Sequence, residues 1–419
     1  MARLCLAYAA SPIHSRGFLE RLRSSVRGLL EAAGLLGLVE ERGVATEPRG
    51  LAAMLSGCPA AVVVVATGGT EHIVLGGLAG FEGPVLLVAH PYANSLPALL
   101  ELYPLASRLS ASAVALPALE GGEAVSRLAS AVRGLLAASR LRGSRLGLVG
   151  RPSPWLVYSR VEPQVLRERL GVELVEVPLG ELEEEYRRVE PPAGLLEELV
   201  SKAEAVERPR GELVKALRLY EALRRIVERH RLDAFTIECF EVIPRLDTTA
   251  CLALSLFNSS GLVAGCEGDV PATVSMMLLS YASQRPAFMA NPASFGERRL
   301  LLAHCTAPIA AGASYRLLSH FETGRGVGVS VAYREGETVT LARLDPGLRR
   351  LRVARGVVER SGLLSSLHCR TQVWLRVDWD PELLLEDSLG NHYVMTVGDH
   401  VEPLRHAARM LGLRAEVLG

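Results

Sequence analysis

Lysine is almost missing from this 419-residue chain: Lys202 and Lys215 stand alone, and the other 44 of the 46 basic residues are arginine. Asparagine and glutamine are also scarce. Few thermolabile amides suit a heat-stable protein, but an arginine bias also follows from genome composition, so both origins stay open. Aromatic residues make up only 5%, so leucine, valine and alanine must fill the interior, as the 49% hydrophobic content allows. Basic and acidic residues both number 46, and the arginines form no stripe, which argues against nucleic acid as a partner. No apolar run reaches membrane-spanning length without a glycine or charge interrupting it, so no membrane partner is expected. The opening "MARLCLAYAASPIHSRGF" reads as a first β-strand, lacking the longer apolar region and cleavage site of a signal peptide. The expected location is the cytoplasm. Seven cysteines (Cys5, Cys58, Cys239, Cys251, Cys266, Cys305 and Cys369) are widely spaced, odd in number and without C-x-x-C. That pattern predicts reduced, buried thiols and neither a disulfide framework nor a zinc ribbon.

The length predicts two or three domains. Strand-like and helix-like segments alternate over the first 140 residues, and "AAVVVVA" (60–66) is the continuous run of a strand buried on both faces. A second alternating unit opens at "RLGLVGRPSPWLV" (145–157) and continues through a charged helical stretch at 179–231. It closes with "LDAFTIECF", "TTACLALSLFNSS", "GLVAGC" and "PATVSMMLLSYAS". Such alternation implies parallel sheets covered by helices. After about residue 286 the pattern changes to short strands with period-two alternation, as in "VGVSVAY", "TVTLARL" and "QVWLRV", which predicts an antiparallel sheet or small barrel. "HVEPLRHAARMLGLR" reads as an amphipathic closing helix.

Candidate chemistry starts at "GLVAGCEGDVPATVSMMLL". Asp269 precedes Val-Pro and a helix, the position of an N-cap. Glu267 has no such role; a carboxylate behind an apolar strand needs a cation, a hydrogen-bond network or an exposed loop. Glu238 raises the same question after "AFTI". All three acids fall at carboxyl ends of predicted strands, where open α/β sheets bind ligands. Of ten histidines, His304, His320, His368 and His392 lie in the β-rich part, and His368 is assigned to the ordinary hydrogen-bonded core. Carboxylates and imidazoles together suit Mn²⁺, Mg²⁺, Co²⁺ or Zn²⁺. No H-E-x-x-H fixes the choice.

The stretches "GLVAGCEGDVPATVSMML", "PAFMANP", "RRLLLAHCTAP", "SHFETGRGVGVSV" and "GNHYVMTVGDH", in that order, resemble the C-terminal half of L-fucose isomerase-like proteins, of the same superfamily as L-arabinose isomerase. The resemblance implies an α/β fold with two Rossmann-like parallel-sheet domains (1–142 and 143–285) and a C-terminal antiparallel β-barrel domain (286–419). It also implies a homo-oligomer, trimer or hexamer, and a sugar substrate isomerised between aldose and ketose by an ene-diol route. The implied cofactor is a divalent metal, Mn²⁺ foremost. By the resemblance Asp269, also a catalytic candidate, falls at the metal-binding carboxylate of fucose isomerases and Glu267 nearer that of arabinose isomerases, His392 at the metal-binding histidine of both and His320 at a further one in arabinose isomerases. "AHCTAP" leaves His304 or Cys305 where those enzymes place another glutamate. The family's base has no clear match in "TTACLALS", and Glu238 is the nearest substitute. Arg325 and Asn391 are candidate substrate contacts. The alternative is a non-catalytic sugar-binding or regulatory protein of the same fold.

One competing motif lies in "VVVVATGGTEH". Asparaginase-type amidohydrolases use a strand followed by T-G-G-T, yet their later H-G-T-D-T is absent here. The plainer reading is a strand-to-helix turn whose glycines permit a close approach.

Overall fold

A computed structural model describes residues 3–419 and divides the chain into two compact units. The first comprises residues up to Arg140 together with Glu402–Arg414; the second comprises Leu141–Val401 and Ala415–Gly419. The two α/β sheets expected from the alternation are present, as is the C-terminal barrel.

In the first unit five parallel strands lie in the order Val39–Ala45, Leu4–Ala9, Ala61–Val65, Val85–Ala89 and Ala111–Ala115. The Val-rich strand Ala61–Val65 is buried at every position, as its unbroken apolar run requires. Residues 402–414 return to this unit, where His406 Nδ1 lies 2.8 Å from Ser112 Oγ. One expectation is corrected here: Cys5 and Cys58 form a disulfide, with Cα atoms 6.0 Å apart. Cys5 N–H donates to Ala60 O, so strand pairing carries the nearby Cys58 within bridging reach.

The second unit contains a parallel sheet in the order Val263–Gly265, Ala234–Ile237, Arg145–Val149 and Glu173–Val177. Six antiparallel strands form its closed barrel: Thr338–Leu344, Tyr393–Val397, Phe288–Gly296, Arg299–His304, Thr371–Arg376 and Arg350–Gly362, which pairs back onto the first. Closure buries the edge hydrogen bonds that an open sheet would expose. Alternate residues such as Leu300, Leu302, Val339, Leu341, Val373 and Leu375 pack into one apolar core with Leu213, Leu217 and Leu252 from helices.

The register of three barrel strands positions the site. Asn291 pairs with Ala303 on one side of its strand, and Ala290 pairs with Tyr393 on the other. His304 and His392, each next to one of these partners, therefore reach the same level on either side of the middle strand. The strand Val263–Gly265 delivers Glu267 from the parallel sheet. Gly265 is essential there, because a Cβ would lie 2.1 Å from Thr273 Oγ1 on the following helix, Val270–Ser283.

Candidate metal centre

Glu267 stands in a tight turn between strand and helix, with φ of 61°, followed by Gly268 at 68°. A left-handed glutamate costs about 1–2 kcal/mol, so the turn must be held from outside. Its carbonyl accepts from Ser153 N–H at 2.8 Å, and Gly268 N–H donates to Ile237 O at 3.0 Å. The side chain is fixed as well: Trp155 Nε1–H donates to Glu267 Oε2 at 2.6 Å. The other oxygen, Oε1, faces His392 Nε2 at 3.5 Å and His304 Nε2 at 3.7 Å.

Both imidazoles are oriented through their far nitrogens. His304 Nδ1 lies 2.9 Å from Thr306 Oγ1, and His392 Nδ1 lies 2.9 Å from Asp269 Oδ2. Each Nε2 is thereby turned toward Glu267. The three ligand atoms of Glu267, His304 and His392 all lie within 4.8 Å of one another, and all three residues are buried. His392 Nε2 is buried with no hydrogen-bond partner among the described residues. An orphaned imidazole nitrogen beside a buried carboxylate oxygen is what a cation would satisfy. Two histidines and one carboxylate, held by outer hydrogen bonds, fit a divalent ion with coordination positions left for a ligand.

Asp269 is placed behind this group. Its carboxylate caps the following helix through Ala272 N–H at 2.9 Å, receives Arg343 Nη1–H at 3.1 and 3.2 Å, and orients His392. Arg343 is itself fully buried, donating also to Ser159 Oγ and Leu389 O. Both oxygens of Asp269 are thus already engaged, by the helix N–H, by Arg343 and by His392.

The electrostatics follow from these contacts. Burial pushes the Glu267 carboxyl up, but the imidazoles of His304 and His392 outweigh it and hold the group well below the carboxylate range. Burial likewise raises Asp269, and Arg343 with His392 brings it below its ordinary value. For His392, burial favours the neutral ring, yet Asp269 and Glu267 drive it up to about 9.

The other candidates fall at different distances from this centre. His320 lines the same cleft, with Nδ1 3.1 Å from Thr323 Oγ1 and Nε2 3.6 Å from Glu322 Oε2, outside the three-residue group. Burial, with the charges of His304 and Arg370, lowers it to about 4. Glu238 turns to a neighbouring cleft beside Gly150, Glu241 and Arg245, where its carboxylate accepts from Arg151 N–H at 2.9 Å. It does not line the cleft of Glu267. Arg325 is exposed, 3.5 Å from Asp247, and exposed Asn391 donates to Asn291, which does line that cleft.

Three residues escaped the sequence reading. Trp155 sat in the quoted "PSPWLV" loop, and Glu322 in "HFETG". Arg343 had a detectable signature: in "TVTLARL" it interrupts the apolar strand as a charge without an exposed position. Glu322 lines the cleft, half-exposed, and burial together with the charge of Glu267 pushes its carboxyl up.

No family profile matches the chain. Among curated proteins, the sulfoquinovose isomerases of Priestia aryabhattai and Priestia megaterium (strain ATCC 12872 / QMB1551) are each 24% identical over 296 residues, covering 65% of this chain and 64% of theirs. That of Alkalicoccus urumqiensis is 23% identical, covering 64% of this chain and 63% of its own. The matched region thus spans slightly less than two thirds of these relatives. No helix among the described residues is long and apolar enough to cross a membrane.

Proposed function

We propose that this protein is a divalent-metal-dependent aldose–ketose isomerase, with Glu267, His304 and His392 as the metal ligands. The observation that carries the reading is the buried meeting of these three side chains, with the His392 Nε2 atom left without a hydrogen-bond partner among the described residues. The similarity to sulfoquinovose isomerases supports a sugar as substrate. Mn²⁺ suits the mixed oxygen–nitrogen set. When bound, such an ion polarises adjacent sugar oxygens and offsets the negative charge that develops on them.

The chain's own groups supply the rest. Trp155 holds Oε2 of Glu267, so that Oε1 alone is turned toward the imidazoles. Asp269 keeps the His392 ring in place and the buried Arg343 keeps Asp269 ionised. The base role expected of Glu238 passes in this reading to Glu322, because Glu322 shares the cleft and Glu238 faces away from it. A carboxylate whose proton affinity is raised by burial is better matched to carrying a proton between neighbouring sugar carbons. His320, held neutral, lies beside it, with Nε2 3.6 Å from Glu322 Oε2.

The test is proton exchange. Mn²⁺-loaded protein is incubated in D₂O with L-fucose, L-arabinose, sulfoquinovose and related aldoses, and NMR reads deuterium at C2 and ketose formation. At least one sugar should exchange, and Glu322→Gln should stop the exchange while leaving metal content intact. Sugar binding without exchange across the panel would instead support the non-catalytic sugar-binding protein.

A further inference from the structure

The fold gathers five cysteines that are scattered in sequence. Cys239, Cys251, Cys266, Cys305 and Cys369 all line the cleft of the candidate metal centre. None has a part in the proposed isomerisation. Cys305 and Cys369 are hydrogen-bonded to each other, and Cys266 Sγ lies 2.8 Å from Cys239 Sγ. The closeness of the second pair follows from the parallel sheet, in which Thr236 pairs with Gly265. Cys239 opens the helix after one of these strands and Cys266 directly follows the other. Two sulfurs at this separation need to close by less than about 1 Å to reach bonding distance.

We propose that Cys239 and Cys266 form an oxidative modification site, a dithiol that hydrogen peroxide converts to a disulfide within the folded protein. Both thiols line the cleft, and Cys239 is the more exposed, at 7% against 3%. Its sulfur attacks one peroxide oxygen, the O–O bond breaks, and one water leaves with the thiol proton, giving a sulfenic acid. The Cys266 sulfur then displaces the hydroxyl group from that sulfur, and its own proton completes a second water as the S–S bond forms. Two thiols are oxidised and one peroxide is reduced.

Cys266 is joined directly to Glu267, whose left-handed turn is pinned at Ser153, Ile237 and Trp155. Drawing Cys266 toward Cys239 pulls on that turn and shifts Glu267 Oε1 relative to the two histidines. This second consequence rests on the metal reading above; the crosslink itself does not.

Folded, full-length protein is treated with hydrogen peroxide, quenched and digested without reduction, and its crosslinked peptides are mapped by mass spectrometry. The Cys5–Cys58 peptide pair, crosslinked before treatment, is the internal standard. The expected product is a Cys239–Cys266 crosslink that forms in Cys369→Ser, is absent from Cys239→Ser and Cys266→Ser, and is reversed by dithiothreitol. Mn²⁺ affinity measured by calorimetry should fall about tenfold on oxidation and recover on reduction. Oxidation of both thiols to sulfinic acids without a crosslink overturns the site, and leaves the isomerase reading untouched. A crosslink with unchanged Mn²⁺ affinity overturns its link to Glu267. A Cys239–Cys266 crosslink seen only in urea overturns the claim that the native fold presents the pair.

Discussion

Two strand-to-helix turns, one in each unit, occupy the same kind of place at the carboxyl end of a parallel strand, and they are finished differently. After Ala61–Val65 the "TGGT" turn closes on itself: Thr70 Oγ1–H donates to Thr67 O at 2.8 Å, Thr67 Oγ1 accepts from Ser11 N–H at 2.8 Å, and His90 Nε2 lies 3.1 Å from Ala66 O. After Val263–Gly265 the "CEGD" turn holds Glu267 in a strained conformation and leaves His392 Nε2 without a hydrogen-bond partner among the described residues. A turn whose polar atoms are mutually satisfied is a scaffold. One that keeps charge and an unpaired nitrogen under strain has its polar demand completed by something else.

The sharpest way to break that contrast is to remove the charge. Glu267→Gln keeps the shape and the Trp155 contact but cannot bring a carboxylate to the two histidines. Metal content should drop from about one ion per chain to near zero, and isomerisation should fall about 10⁴-fold, some 5 kcal/mol of lost stabilisation. Elemental analysis and the deuterium-exchange assay check both; unchanged metal content would place the ion elsewhere.

Next in size is Asp269→Asn. The amide keeps the volume yet leaves the fully buried Arg343 without its counter-charge. Breaking a buried pair by removing one partner typically costs about 3–5 kcal/mol, and chemical denaturation should show a loss of that order. A loss below about 1 kcal/mol would mean that Arg343 finds another acceptor.

A smaller effect concerns pH. In the metal-free protein His392 binds its proton more tightly when folded, at about 9, than the ordinary value of 6.5. The resulting stabilisation is fully present below about pH 6.5 and is lost as pH rises through 9, an effect on the order of 3 kcal/mol. A bound cation requires the neutral ring, so Mn²⁺ binding at pH 7 should release a proton and flatten this alkaline loss. Denaturation curves with and without Mn²⁺ across this range check the sign. An alkaline loss that is identical in His392→Gln would assign it to another group.

These features were unequally legible in the sequence. The parallel sheets were visible because "AVVVV" and "VLLVA" are continuous buried runs, and the barrel because its strands alternate. Glu267 stood out as an acid without a helix-capping role. The meeting of His304 and His392 was not visible from their spacing, since it depends on both strands flanking Phe288–Gly296 in one register. Glu238 illustrates the reverse. It shares its strand-end position with Glu267, but the Arg151 N–H captures its side chain on the other side of the turn. Strand ends can be located from pattern, whereas side-chain direction is set by partners distant in sequence. The cysteines failed similarly: their wide spacing along the chain conceals one bridged pair and five thiols around a single cleft.

The smallest expected effect tests the closed turn. Thr70 is fully buried, and among the described residues its hydroxyl bonds only within the turn, to Thr67 O. Thr70→Val keeps the branched shape and deletes that hydrogen bond, leaving Thr67 O short of one donor. Stability should fall by about 1 kcal/mol, the usual net value of one such bond. Metal content and sugar exchange should not change, because nothing in the turn is left over for chemistry. An amidohydrolase would behave in the opposite way, since its threonines are nucleophiles; loss of a hydrolytic activity in Thr70→Val at unchanged stability would make "TGGT" the working turn and "CEGD" the scaffold.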